Sequence, residues 1–244
     1  MPSEVTDRLA QLARQRDELA AHHRRIEKAY ALAVLDHLAE QVRQLCPKTA
    51  YITFAYHGNS REVDLYGLLG AEPGALSPLP WLWDARESEG EHPLDDYRDK
   101  LEVDLQLALE PYDSPAWATV SRNTAADGNS WVLQLPPADR AARIADLVRQ
   151  YHPEATAIIV DVRSAGGRVI EIIQGIAEDG TDNRTTRRRW PRAADDAITT
   201  WVAQMFALPR LAHRHLLPAG PAYRHPYGAG PSPLVRLMPL PPTA

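Results

Sequence analysis

The sequence predicts an α+β fold built by tandem duplication, in which a helix, a β-hairpin and a second helix occur twice. Three observations support this prediction. A long helical stretch without Gly or Pro opens the chain, two hairpin patterns follow it, and residues at a constant separation in the two stretches are identical. Because one hairpin with two helices would leave a sheet face exposed, the two copies predict one pseudo-twofold antiparallel sheet with helices on one face.

Residues 3–46 predict a single long helix that starts at Ser3 as N-cap and stops before Pro47. Its apolar residues occur in two phases. Up to residue 30 they alternate four and three residues apart, as in a coiled coil. Beyond residue 30 the apolar residues keep a similar spacing, but they lie on a helix face rotated by about 100°. We therefore expect residues 31–46 to pack on the sheet and residues 1–30 to project from it.

The projecting part carries the pattern of an oligomer interface. Its seam residues are Val5, Leu9, Leu12, Arg16, Leu19, His23, Ile26 and Tyr30. Polar residues at seam positions weaken a coiled coil but define its register. Pairing between chains, with a dimer as the simplest assembly, is the leading interpretation. The alternatives are that this stretch folds back on its own chain or stays solvated.

The first copy covers residues 31–113. After the helix, residues 50–56 alternate as a strand, residues 57–60 form a turn signal, and residues 62–69 return. A third strand is possible at residues 80–83. A helix is expected at residues 94–109, ended by Pro111.

The second copy covers residues 137–212 and repeats this order. At an offset of 106, six residues recur unchanged: Ala39, Val42, Arg43, Gln44, Pro47 and Ile52 match Ala145, Val148, Arg149, Gln150, Pro153 and Ile158. A hairpin follows at residues 157–176. At an offset of 100, Asp95 and Asp96 recur as Asp195 and Asp196 at the start of the last helix.

Two segments are not repeated in the sequence. Residues 114–136 connect the copies and contain a possible hairpin around a turn at residues 126–129. Residues 213–244 contain eight prolines, a composition that disfavours helix and central strand, so we expect an extended Pro-rich tail. Within it, Arg236, Pro239 and Pro242 have the spacing of a polyproline ligand for a protein partner.

An arginine-rich loop is the strongest candidate for a polyanion site. It contains Arg184, Arg187, Arg188, Arg189 and Arg192 around Trp190. Guanidinium groups match phosphate oxygens, and a neighbouring indole can stack on a base of single-stranded nucleic acid. However, the whole chain has a net charge of -5, and the equivalent segment of the first copy is acidic. A salt-bridged or solvated loop is the simpler interpretation.

Catalytic and metal-binding patterns are weak. Asp64, Asp161 and Glu171 occupy hairpin strands and could hold a metal ion or do acid–base chemistry, but Asp161 matches Ala55 in the other copy. The histidine pairs lack carboxylate or cysteine neighbours at useful spacing, and Cys46 is a single cysteine. No nucleotide-binding, zinc-protease or nucleophile-elbow motif occurs. No metal or cofactor is therefore expected, and an enzyme is the third hypothesis.

Composition favours a globular protein from a reducing compartment. Of the 244 residues 44% are hydrophobic, and no stretch approaches a membrane span or a secretory signal, so we expect a cytoplasmic protein without membrane contact. Only three of the 27 basic residues are lysines, which suggests a GC-rich bacterial genome. The leading hypothesis is a non-catalytic scaffold or adaptor that self-associates through its N-terminal helix. A nucleic-acid-associated accessory protein is the alternative.

Overall fold

The computed structural model describes residues 2–58, 60–71, 81–88, 90, 92–110, 113–122, 130–162, 167–176, 182–185, 190–220, 223 and 235–242. Within these ranges the chain forms five α-helices and two antiparallel five-stranded sheets. The α+β class and the long N-terminal helix are confirmed, and the predicted duplication is consistent with the two sheets.

The first sheet contains the first predicted hairpin. Its elements are helix α1 (Pro2–Leu45), strands β1 (Thr49–His57), β2 (Glu62–Gly70) and β3 (Trp81–Asp84), helix α2 (Arg98–Leu109), and strands β4 (Val120–Arg122) and β5 (Ser130–Gln134). A short 3-10 helix precedes α2, and another precedes β4. The strand order is β3-β2-β1-β5-β4, so β1 lies at the centre.

The second sheet repeats that order with its own strands. Its elements are α3 (Arg140–Tyr151), β6 (Ala157–Asp161), β7 (Arg168–Ile176), β8 (Asp182–Thr185), α4 (Arg192–Ala207), α5 (Pro209–His215), β9 (Leu217–Pro218) and β10 (Val235–Pro239). The strand order is β8-β7-β6-β10-β9, with β6 in the place of β1.

Two sequence-based expectations need correction. The hairpins do not share one sheet: residues 114–136 supply β4 and β5 to the first sheet, and residues 217–239 supply β9 and β10 to the second. The described part of the Pro-rich segment is not a free tail, since residues 235–239 form the extended strand β10, which lies between β6 and β9. Pro239 is tolerated because it occupies the last position of its strand, where the ladder ends.

Each sheet has helices on one face and a hydrophobic core between them. In the first copy, buried leucines of α1 and α2 pack on Ile52, Phe54 and Leu65 of the sheet. In the second, α3 and α4 pack on Ile158, Val160 and Ile172. Helix α3 begins at Asp139, whose side chain accepts a hydrogen bond from the backbone N–H of Ala142 at 2.9 Å, as expected of an N-cap.

The two copies share side-chain contacts as well as strand order. The guanidinium of Arg43 donates to the carbonyl oxygen of Pro136 at 2.8 Å, and that of Arg149 donates to the carbonyl oxygen of Pro241 at 2.6 Å. Both contacts attach the helix of the hairpin to the end of the added strand. These two identical arginines therefore do the same structural work in each copy.

A buried arginine joins the copies. Arg140 donates through Nε to the side-chain oxygen of Gln204 at 2.9 Å and through Nη1 to Asp36 at 3.1 Å. Its side chain is only 4% exposed, and a second bond to Asp36 makes this ion pair bidentate. Because α1 contributes Asp36, the long helix is fixed to the second copy as well as to the first.

Candidate functional site

The exposure of α1 changes abruptly at residue 31. Leu9 and Leu19 are 62% and 69% exposed, whereas Ala31, Leu32 and Leu35 are fully buried. The change coincides with the change of apolar phase in the sequence. Residues 6–30 of α1 therefore form a projecting half with exposed side chains, and residues 31–45 form the half that packs on the sheet.

The seam residues with described side chains share one exposed face of this projecting half. They are Leu9, Leu12, Arg16, Leu19, His23, Ile26 and Tyr30. We call these seven residues the seam; the predicted eighth member, Val5, has its side chain outside the described part. Each of the five apolar or aromatic members is more than half exposed. The structure thus brings the predicted interface residues into one solvent-facing row, while their role in assembly stays a prediction.

The polar seam residues have ion-pair partners on α1 itself. Arg16 Nη2 lies 2.7 Å from Asp17 Oδ1, and His23 Nδ1 lies 3.3 Å from Glu27 Oε2. Near the end of the projecting half, Lys28 Nζ lies 2.6 Å from Asp113 Oδ2. The Lys28 ammonium lowers the pKa of Asp113. This last pair connects the base of the projecting half to the loop that follows α2.

A cleft opens where the projecting half meets the first sheet. Its volume is about 1130 Å³, and we call it the basal cleft. The last seam residue, Tyr30, is part of its lining. Its lining comes from α1, from the β1–β2 turn and from the region around α2 and β5: Arg24, Glu27, Tyr30, Tyr56, Gly58, Arg61, Leu107, Glu110, Asp113, Trp117 and Trp131. The seam therefore leads directly into the basal cleft.

Three half-buried aromatic side chains form one wall of this cleft. Trp117 meets Tyr56 edge-on with ring centroids 5.1 Å apart, and meets Trp131 edge-on at 6.3 Å. The indole N–H of Trp117 donates to the carbonyl oxygen of Leu109 at 3.0 Å, which fixes its orientation. We call Tyr56, Trp117 and Trp131 the aromatic wall. Such edge-to-face packing is the favoured arrangement of aromatic rings and makes the wall a preformed surface.

The second copy lacks the same aromatic surface. Trp131 pairs with Phe54 across the β1–β5 ladder. In the second copy the equivalent of Phe54 is Val160, and the residue that pairs with Val160 is Arg236. The guanidinium of Arg236 lies over the ring of Phe206, 5.8 Å from its centroid. At the sequence offset of 106, Tyr56 corresponds to Val162. Among the described residues, the aromatic wall therefore has no counterpart in the second copy.

Sequence analysis missed the basal cleft because its lining residues lie far apart in the chain. A signal was nevertheless present. Trp117 and Trp131 both belong to residues 114–136, which the repeat comparison marks as unshared. The pairing of β5 with β1 then places Trp131 beside the seam-bearing helix.

The described part of the arginine-rich loop makes contacts within the chain. Arg184 lies 3.6 Å from Glu171 and over the ring of Tyr223, and Arg192 lies 3.6 Å from Asp196. Trp190 donates its indole N–H to Asp195 at 3.0 Å. Arg187, Arg188 and Arg189 lie outside the described residues. Binding of nucleic acid or another polyanion to this loop stays a prediction.

The three carboxylates do not meet at one site. Asp64 is on the first sheet, 2.8 Å from His57, whereas Asp161 and Glu171 are on the second sheet. Burial, followed by the nearby Glu171 carboxylate, raises the pKa of Tyr223 beside them. No group of three potential metal ligands occurs among the residues that the structure describes. A centre that combines all three carboxylates, as the enzyme hypothesis supposed, is therefore wrong.

The polyproline motif falls on strand β10. Arg236 pairs with Val160 and Pro218, and Pro239 pairs with Ala157. Pro242 follows the strand. Use of this segment as a partner ligand would require β10 to leave the sheet, so the hypothesis of a freely available ligand loses its basis.

Comparison with known protein families, with curated proteins and with solved structures finds no match to this chain. In the described part of the chain, no helix has the length and apolar content needed to cross a bilayer.

Proposed function

We propose that this protein is a non-catalytic assembly protein, scaffold- or adaptor-like, that self-associates through the seam of α1. The observation that carries the proposal is the row of large apolar side chains exposed on the projecting half, with Leu9, Leu12 and Leu19 each more than half exposed. Contiguous exposed apolar surface on a water-soluble body is a mark of an interaction site. Coiled-coil spacing makes another helix of the same kind the simplest partner.

The energetics favour a reversible dimer. Each exposed apolar seam residue contributes roughly 1–2 kcal/mol when it is buried against a partner. A dimer buries such residues from both chains, and this gain is opposed by an association cost of about 4–15 kcal/mol. The two terms are of similar size. We therefore expect a dimer that dissociates on dilution.

The polar seam residues also agree with a specific pair. Arg16 and His23 interrupt the apolar row at two of its positions, and both are solvent-exposed in the single chain. Polar residues inside a seam reduce its stability but penalise alternative registers and oligomeric states. We infer that they limit the assembly to one arrangement.

The projecting half provides its own control surface for a test. In L9E/I26E two glutamates enter the seam, whereas in A10E/Q11E two glutamates enter the exposed side of the same helix away from the seam. Both double variants change the net charge by the same amount. Light scattering over a concentration series measures their association, and circular dichroism measures their helix content.

We expect L9E/I26E to weaken self-association by more than about tenfold, because a buried, unpaired carboxylate costs several kcal/mol. A10E/Q11E should associate like the unmodified chain. Equal association of both variants with unchanged helix content would refute the seam as the interface.

A further inference from the structure

We propose that two copies pair antiparallel along the seam, and that the first turns of one copy's α1 dock in the basal cleft of the other. The proposal rests on the self-association proposed above and adds its orientation and the occupant of the cleft. Three observations carry it: the order of polar and apolar residues in the seam, the point at which the seam ends, and the aromatic wall beside that point.

The order of residues in the seam disfavours a parallel pair. In a parallel, in-register pair each seam residue faces its own copy, so Arg16 would face Arg16 and His23 would face His23. Two guanidinium groups at one layer of an apolar seam repel each other. In an antiparallel pair, by contrast, no seam residue faces its own copy: each faces a residue of the other alternating set in the partner's seam.

An antiparallel register exists in which every polar seam residue faces an apolar one. When Arg16 faces Leu19 of the other copy, Leu12 faces His23, and Leu9 faces Ile26. The long aliphatic part of Arg16 can then cover the leucine while its charge reaches water. This register also places Gln15 beside His22 and Ala13 beside Ala20 at the flanks, with no facing pair of like charges.

The same register matches the length of the projecting half. It places residue 5 of one copy at the level of Tyr30 of the other, and Tyr30 is the last exposed residue before the buried Ala31 and Leu32. Arg24, Glu27 and Tyr30, the α1 residues that line the basal cleft, then lie at the level of residues 5–11 of the other copy. Residues 2–4, about 5 Å of helix, continue past Tyr30.

The basal cleft provides surface for that helix end. Tyr30, the last seam residue, lines the cleft together with the aromatic wall. A cleft of about 1130 Å³ is large enough to receive several side chains. In the part that the structure describes, the second copy has neither a projecting helix nor an aromatic wall, as expected if the two features serve one interface.

Cysteine cross-linking tests the orientation with the full-length chain. In a Cys46→Ser background, which removes the single native cysteine, Leu9→Cys and Ile26→Cys are made as separate variants. Residues that face each other across a seam are close enough for a disulfide. We expect the two variants to cross-link when mixed, and neither to cross-link with itself.

The outcomes separate the two proposals. Self-cross-linking of each variant would overturn the antiparallel orientation and keep self-association. A monomer in light scattering at the concentration used would overturn self-association itself.

For the cleft, the double variant Ser3→Cys/Glu110→Cys in the same background is treated with a short bismaleimide and analysed by mass spectrometry. A link between the two residues on different chains supports docking in the basal cleft; its absence, while the Leu9–Ile26 link forms, overturns it.

Discussion

The two copies of the repeat have the same framework but differ at their surfaces. Both use an arginine of the first helix to hold the carbonyl at the end of the added strand, Arg43 on Pro136 and Arg149 on Pro241. Both also pair a tryptophan indole with the aspartate at the start of the second helix, Trp83 with Asp95 and Trp190 with Asp195. These contacts recur because each copy must close its own sheet and core.

The differences lie at one end of the first copy. There α1 extends by about nine turns beyond the length of α3, and the aromatic wall stands at the base of its projecting half. The wall residues also pack against the first hydrophobic core, whereas the exposed seam residues belong to neither core. Residues shared by the copies therefore maintain the fold, and the proposed assembly depends on the seam, which the copies do not share.

The largest expected effect comes from breaking the contact that joins the copies. In Asp36→Ala, the guanidinium of Arg140 remains buried without its carboxylate, which costs about 3–5 kcal/mol. Urea denaturation measures the loss in free energy of unfolding. The double variant D36A/R140M should recover part of it, because no unpaired charge then remains. A loss below about 0.5 kcal/mol in D36A would show that the pair does not join the copies.

A smaller effect distinguishes the two hairpin turns. A Cβ at Gly167 would lie 2.1 Å from Cγ1 of Val202 in α4, whereas a Cβ at Gly58 would have no neighbour within 4 Å. We expect Gly167→Ala to destabilise the protein by about 1–3 kcal/mol through overpacking. Gly58→Ala serves as the matched substitution and should change stability by less than about 0.5 kcal/mol. Equal effects in urea denaturation would contradict the tight packing of Gly167 on α4.

The smallest effect concerns the pH dependence of Asp95. The hydroxyl of Ser88, at 2.6 Å, lowers the pKa of Asp95 below its ordinary 3.8, and the backbone N–H of His92 and the indole of Trp83 add to this effect. A lowered folded-state pKa stabilises the protein above pH 3.8, and this stabilisation is lost as pH falls through the folded-state value.

Thermal melts of the unmodified chain and of Asp95→Asn check that dependence. The variant should melt a few degrees lower at pH 6, and the difference should shrink below pH 3.8. A difference that stays constant across this range would exclude the ionised carboxylate as its source.

The sequence was sufficient to predict the local elements of this fold but not their partners. Hairpins and helices follow from residue periodicity, and the identical residues at offset 106 revealed the repeat. By contrast, β5 and β10 pair with β1 and β6 across roughly 80 residues, and no short-range pattern encodes such pairing. The abundance of proline around β10 favoured the prediction of an extended tail over that of a strand within a sheet.

The interface between the copies and the basal cleft were hidden for a related reason. Arg140 follows an N-cap on an amphipathic helix, where an arginine is normally solvated, and only the approach of α1 and α4 buries it. The seam was predictable because it depends on spacing within one helix. The aromatic wall could not be predicted in this way, because it depends on the three-dimensional arrangement of β1, β5 and the 3-10 helix before β4.

The mass of the protein in solution tests the central claim most directly. Light scattering of the full chain and of the chain shortened to begin at Glu27 should give different association states. We predict a mass of twice 27.2 kDa for the full chain at high concentration. The shortened chain should be a folded monomer, because it retains the packed half of α1 but lacks most of the seam. The same monomeric state for both would contradict assembly through the projecting half of α1.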